Sequence, residues 1–513
     1  MKKKYGIVFW FRVSGLCLTF LLFTSLLHAQ RHTTARNLGL GGGGTAYMTD
    51  FHANFINPAN LMLKESSGFA FGLLNGMGAN GGGELVDMSV YQQYFTSGMT
   101  IDNTLTLEIS DQLFGTGAGA SRKVGLNALD AVLMGFSIKT SKQAFSLAFR
   151  ARALASFSMS KGFFELGLGG LNGQLFSDYK AVDIGGDVLT VGEVSLGYAR
   201  EVWSSGQFGE PGSMRLSAGF APKFMAGFDY YRLNFNSRLR VSEENRAMDH
   251  IFDYEFESAG LVTNQIKEYH SARQNEDGDP VIGDYMNFDE TLPYAISPKG
   301  YGMGMDIGIT YEVVIPGLAV LSREPRILRI AVSATDLGSV NFNSNPGRFS
   351  ASDHFEWNGF DVDFDEINSH HDSSLGEYSS HILQDSIISN IYGDFSPDDL
   401  SGIRVDMMPM VNLGAVYSAG KWNIMVDLGK GLNTRATNSR HVSTALGIEY
   451  NAFRFIPLRA GIRTGGELET SYSLGTGINL KPFKFTVGVM AVPDLVNGSI
   501  HGGAAWSGLM LRF

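Results

Sequence analysis

The chain has 513 residues, a formal net charge of −11 and only 18% charged residues, below the rough quarter usual for soluble domains. The acidic balance argues against a nucleic-acid partner, and a single cysteine rules out a disulfide scaffold. With 63 glycines and 12% aromatics, the composition leaves a large soluble β-protein or a transmembrane barrel, and the periodicity of the strands has to decide.

At the N-terminus, Lys2, Lys3 and Lys4 precede an apolar run from Val13 to Leu27 and the junction Leu27-His28-Ala29-Gln30. This is the pattern of a secretory signal peptide over residues 1–29, cut after Ala29. A transmembrane anchor competes, but about 15 apolar residues is short against the roughly 20 that a bilayer requires. Cys17 lies inside this run behind Leu16, which does not suit a lipoprotein cut. The exported chain therefore carries no cysteine, hence no disulfide and no thiolate metal site. Removing the signal takes away four positive charges and moves the net charge from −11 to −15. Beyond Leu27 no apolar stretch reaches 18 residues, so no helix is expected to span a membrane.

Residues 30–130 form an N-terminal segment that includes the first strand or strands. Its opening, Leu38-Gly39-Leu40-Gly41-Gly42-Gly43-Gly44-Thr45-Ala46, formally contains G-x-G-x-x-G. A dinucleotide loop needs a strand before it and a helix after it, and neither is legible here. The next landmarks are Asp50 and Asn54-Phe55-Ile56-Asn57-Pro58-Ala59-Asn60-Leu61. Asn57-Pro58 is a turn signal, with Asn57 biased away from helix. Around 84–130, Leu85–Phe95 and Thr104–Phe114 are compatible with short helices.

From residue 131 onward the chain reads as strands. Tyr301, Met303, Met305, Ile307 and Ile309 alternate with Gly302, Gly304, Asp306 and Gly308; Met214, Leu216, Ala218 and Phe220 alternate with Arg215, Ser217 and Gly219. The last hundred residues alternate most strictly, with Trp422, Ile424, Val426 and Leu428 opposed by Lys421, Asn423, Asp427 and Gly429. Runs of nine to eleven alternating residues match the length of a tilted strand crossing a bilayer. Short turns at Ala419-Gly420, Asn451-Ala452 and Lys481-Pro482 alternate with longer links at 430–440, 464–469 and 493–502. Transmembrane barrels have this asymmetry of connections, whereas a soluble sandwich has no reason for it. The fold predicted is all-β: a transmembrane antiparallel β-barrel over 131–513 of about 14 strands (14–16). Further strands are expected near 67–75, 131–140, 143–151, 191–200, 228–240, 250–258, 326–335, 354–364 and 410–418.

A polar interruption spans about 340–408, with an amphipathic helix expected at Leu375–Ile391. Its Asp361-x-Asp363-x-Asp365 begins like a calcium loop, but Glu366 stands where glycine is needed and Asp372 where glutamate is usual. A solvated loop is favoured over a Ca²⁺ site, and His370-His371 lack a convincing third zinc ligand. No G-x-S-x-G or H-E-x-x-H occurs, and no constellation supports catalysis, a metal or a cofactor. Arg215, Asp306, Lys421, Asp427, Glu449, Arg459 and Arg463 fall on the polar strand face and are expected to point into the lumen. Mutual pairing is favoured over a substrate path for them. The terminus Gly508-Leu509-Met510-Leu511-Arg512-Phe513, with Gly508, Leu511 and Phe513 as its markers, resembles the signal read by the barrel-assembly machinery.

Over residues 36–63, the glycine-rich opening, the single Asp50 and Asn57-Pro58-Ala59 before Leu61 resemble the start of the FadL/PorV-like group of outer-membrane β-barrels. Four consecutive glycines and the lone acidic residue depart from the usual pattern, and the 340–408 insertion has no evident counterpart. The resemblance implies an N-terminal hatch containing short helices, folded within the lumen, with Gly41, Gly42, Gly43, Gly44, Asp50, Asn57, Pro58 and Ala59 as structural or gating positions. It also implies a passive channel for hydrophobic or poorly soluble small molecules in the outer membrane of a Gram-negative-type cell. The alternative is a PorV-like shuttle or scaffold that binds a secreted or periplasmic protein. An enzyme is the least favoured reading.

Overall fold

The computed structural model describes residues 33–83, 90–95, 100–116, 122–171, 173–242, 247–274, 297–316, 326–357, 400–453, 455–466, 470–480, 482–493, 500–507 and 510–512. The expected signal peptide, the acidic cluster at 361–372, the helix at 375–391, Gly508 and Phe513 lie outside them.

Strand formation follows the alternation. In β9 (Gly300–Ile315), Met303 is 75% exposed while Asp306 and Thr310, on the other face, are fully buried. Large apolar side chains on one face and small or polar ones on the other leave two ways to satisfy a strand. The polar face meets a wet interior and the apolar face meets lipid.

The ring is closed and entirely antiparallel, with 14 strands. Its first crossing consists of β1 (Phe69–Leu73) and β2 (Met77–Gly83). The ladder continues through β3 (Arg122–Lys139), β4 (Gln143–Ser160), β6 (Ile184–Ser205), β7 (Met214–Ser242), β9 and β10 (Arg326–Phe342). The two-residue β5 (Lys180–Ala181) pairs only with the far end of β7. Beyond β10 come β12 (Ile403–Asp406) and β13 (Met410–Ala419), which share one position in the ring. The ring then runs through β14 (Trp422–Gly431), β15 (Ser443–Phe453), β16 (Ile456–Gly465), β17 (Ser471–Asn479) and β18 (Phe483–Pro493). The last crossing consists of β19 (Ile500–Trp506) and β20 (Met510–Arg512), which close onto β2 and β1.

One end of the barrel carries the short connections between β3 and β4, β13 and β14, β15 and β16, and β17 and β18. Exposed Phe69, Phe145, Trp422, Phe453 and Phe483 stand near it, an aromatic girdle at one membrane interface. At the other end the chain builds outward. Past Gly227, β7 parts from β9, keeps β6 on one edge and pairs on the other with β8 (Ala247–Ala259), which pairs in turn with β11 (Pro346–Trp357). Only Ile251 among the large apolar residues of β8 is exposed, so this sheet stands beyond the lipid-facing band. The segments expected at 214–220 and 228–240 are thus one strand, and the interval 340–408 contributes β11 and β12. Helices α2 (Asn103–Phe114) and α3 (Lys161–Gly169) cap this end through Ile109, Leu113, Phe114 and Met159. Helix α4 (Leu261–Gln274) lays Ile266 on Phe252, Tyr254 and Phe349.

Candidate functional site: the plugged lumen

The lumen holds residues 33–66, and their local structure follows from turn chemistry. Thr34 and Asn37 form a reciprocal capping box on the single-turn α1 (Ala35–Leu38), satisfying amides that a short helix would otherwise leave bare. Gly41, Gly42 and Gly44 have φ of 82°, 81° and 152°, conformations that side chains with a Cβ resist. Asn57 caps a 3-10 turn over Pro58–Met62, its Oδ1 accepting from the Ala59 N–H at 3.1 Å, with Pro58 at the first position. Asp50 opens a second 3-10 turn with φ 58° and accepts from the Ser67 N–H at 2.8 Å.

The plug meets the wall at small residues. A Cβ on Gly219 would lie 2.6 Å from the Ala59 nitrogen, one on Gly447 2.8 Å from the Leu40 carbonyl oxygen, and one on Gly39 2.9 Å from the Gly475 Cα. Gly135 likewise leaves room for Phe51, Gly197 for Asn54 and Gly308 for Asn57. Much of the glycine content is explained by this layer, where the wall must admit a folded segment at backbone distance. The period-2 pattern put glycine on the inner face, but only the packing shows what occupies the space.

Directed bonds fix the plug. Asn57 Nδ2 donates to the Thr45 carbonyl at 2.9 Å and to Thr310 Oγ1 at 3.0 Å; Asn60 Nδ2 donates to the same carbonyl at 3.0 Å. The Thr45 N–H donates to Asp427 Oδ1 at 2.8 Å, the Gly41 N–H to Ser473 Oγ at 2.9 Å, and Arg329 to the Ala46 carbonyl at 3.0 Å.

The expected lumen-facing residues have distinct fates. Arg215 Nε pairs with Glu312 at 2.8 Å, Asp306 with Lys223 at 2.6 Å, and Glu449 with both Arg459 at 2.7 Å and Arg36 at 3.4 Å. Arg463 lines a small gap with Asp427 and Gly43. Lys421 keeps the inward parity but sits exposed at the rim, beside the 420–421 turn. Sequence reasoning missed a larger charge layer: Asp130, Arg150, Arg152, Glu193, Lys223 and Asp336. Arg150 Nε bonds Asp130 at 2.9 Å, Arg152 bridges Glu193 and Asp336, and Lys223 reaches Asp336 at 2.8 Å. The usable signal was a charge at inward parity on strands otherwise apolar or small.

Two cavities flank the plug. Toward the outward sheet, about 60 Å³ lies among Asp130, Arg150, Arg152, Asp336 and Met408. Toward the short turns, about 310 Å³ lies among Arg36, Glu65, Arg329, Glu449, Arg459, Lys484 and Arg512. Burial there works against the Arg36 charge, but nearby Glu449 outweighs it; burial and Asp427 keep the Tyr47 phenol neutral. Among the described residues no group of three side chains could hold a metal ion.

The family model for a family of unknown function, DUF5723, matches residues 58–491, from the Asn57-capped turn to the end of β18. The chain belongs to that family. This DUF5723 member matches no curated protein. Among solved structures it is similar to the TodX deltaS2S3 mutant, a monoaromatic hydrocarbon channel, at 11% identity and TM-score 0.44, over 94% of this chain and 99% of that one. It is also similar to the toluene transporter TbuX of Ralstonia pickettii, at 11% identity and TM-score 0.40, over 95% of this chain and 100% of that one.

Proposed function

We propose that this DUF5723 barrel is an outer-membrane channel for hydrophobic or poorly soluble small molecules, exported by the leader at 1–29, with residues 33–66 as its gate. The observation that carries the reading is a lumen stopped by a segment that is not part of the wall and rests on its small residues. A plug needed only for stability would be better served by large interlocking side chains. The bonds that seat the segment run between it and the wall, as Thr45 to Asp427 and Gly41 to Ser473 do, so its release would break no pairing between wall strands. The first and last crossings of the ring meet as β2–β19 and β1–β20. A gap of about 30 Å³, lined by His52, Asn75 and Ser507, lies beside this seam. Passage past a displaced plug calls for no bond-making chemistry.

Cys17 is the only native cysteine, so a lock can be introduced cleanly. A Cβ on Gly414 would lie 2.8 Å from Thr45 Cβ, about 1 Å inside the roughly 3.8 Å that a disulfide spans, so a small outward shift of the plug backbone lets the bond close. In vesicles containing the Thr45→Cys/Gly414→Cys protein, saturable uptake of a fluorescent polycyclic hydrocarbon is expected when reduced and lost when oxidised. Uptake surviving oxidation would overturn the gate assignment. Absence of saturable uptake in every form, the native chain included, would overturn the channel.

A further inference from the structure

The 310 Å³ vestibule on the short-turn side of the plug carries an unbalanced charge. Arg36, Arg329, Arg459, Lys484 and Arg512 line it against Glu65 and Glu449. Asp50, just beyond its edge, approaches Arg512 at 3.3 Å. Five cations face these three carboxylates, with Glu312 behind them shared between Arg329 and Arg215. Arg329 is taken up by Glu65 and Glu312, each at 2.9 Å, and Arg459 by Glu449. Arg512 is engaged by the Ser67 hydroxyl and the Glu65 carbonyl.

Two donor groups remain. No hydrogen bond or ion pair reaches Lys484 Nζ among the described residues, and the charges around it are Arg512, Arg36 and Arg459 against Asp50 and Glu449. Arg36 spends Nη1 on the Tyr47 carbonyl at 2.9 Å and Nη2 on Glu449, while its Nε is buried with no hydrogen-bond partner among the described residues. A buried cation is stable when an anion or water meets it, and crowding several cations without anions is costly. Asn423, Asn451 and Asn479 also edge the cavity, so it is polar without being acidic.

We propose that this vestibule is an oxyanion-binding site, with Lys484 Nζ and Arg36 Nε as its free donors, that takes the carboxylate or phosphate group of a small molecule. It lies on the opposite side of the plug from the Arg150–Asp130–Arg152 layer, whose charges are already mutually paired. The inference does not depend on transport. A binding-only barrel would carry the same site.

The test is calorimetric titration of the full barrel in zwitterionic nanodiscs with hexanoate, inorganic phosphate and, as the uncharged analogue, hexanol. Hexanoate or phosphate is expected to bind, more weakly at higher salt, with hexanol at least tenfold weaker. Lys484→Gln breaks no ion pair and should fold, which heat-modifiable gel mobility checks. It is expected to weaken anion binding at least about tenfold, the usual weight of a charge-assisted bond, and Lys484→Arg to restore most of it. Phosphate binding as tightly as hexanoate would identify the oxyanion itself as the ligand; a preference for hexanoate would identify a carboxylate with an apolar tail. Equal binding of hexanol, no anion binding at tens of millimolar, or affinity unchanged in both Lys484→Gln and Arg36→Gln would overturn the proposal.

Discussion

At the scale of single residues, the plug is held by space as much as by bonds. Gly219→Val places a branched side chain where even a Cβ meets the Pro58–Ala59 backbone, which cannot yield as a flexible side chain would. We expect a loss of at least about 1–3 kcal/mol, the usual cost of overpacking, read as a lower temperature for the heat-modifiable shift on gels. Arg329→Met acts through charge. It strands the Ala46 carbonyl and leaves Glu312 with Arg215 alone. Breaking a buried pair costs roughly 3–5 kcal/mol; the remaining arginine should keep the loss near the lower figure in urea unfolding from vesicles. Part of this was legible in the sequence. Gly41–Gly44 and Asn57-Pro58 announced tight backbone geometry through their own turn preferences. Their wall partners were not legible, because Asp427 lies 382 positions from Thr45 and Ser473 432 from Gly41. Nothing in local pattern sets the register that brings such residues together.

Among the elements, the sheet of β7, β8 and β11 differs most from the rest. Glu257 on β8 is pushed up by burial, but hydrogen bonds from Arg348 and Tyr230 outweigh this and hold it below the ordinary carboxylate range. A carboxyl depressed in the fold adds stability above its unfolded value, near pH 4.3, and loses it as pH falls through the lower folded value. Amide exchange in β8 and β11 should therefore quicken as pH drops below about 4, relative to intrinsic rates, and Glu257→Gln should flatten that dependence. Residues 410–506 were the most readable part of the fold, since lipid on one side and plug on the other impose strict alternation of large and small. β7 was split into two in the sequence reading because it passes from lipid into water along its length. Past Gly227 it bears Asn234, Asn236, Arg238 and Arg240, and the apolar outer face that marks a strand disappears. β3 likewise starts at Arg122, ahead of the apolar alternation that made it visible.

For the whole molecule, the apolar outer band and the polar interior make opposite demands on one substitution type. Ile307→Arg, at an exposed apolar position midway along β9, should cost about 2–4 kcal/mol, measured by folding into vesicles. Lys421→Ala, at the rim, should leave folding unchanged in the same assay. The plug has a further consequence for the timing of assembly. It leaves the ribosome before any strand, yet the groups that seat it lie on β3 through β18, and Arg512 of β20 fastens Asp50. Contacts separated by hundreds of residues form late because the loops they close are long. The first-made segment must therefore wait, its apolar Leu38, Phe51 and Leu61 unburied, until the last strands arrive. Vulnerability of the N-terminal segment to proteolysis until the ring shuts follows from that order.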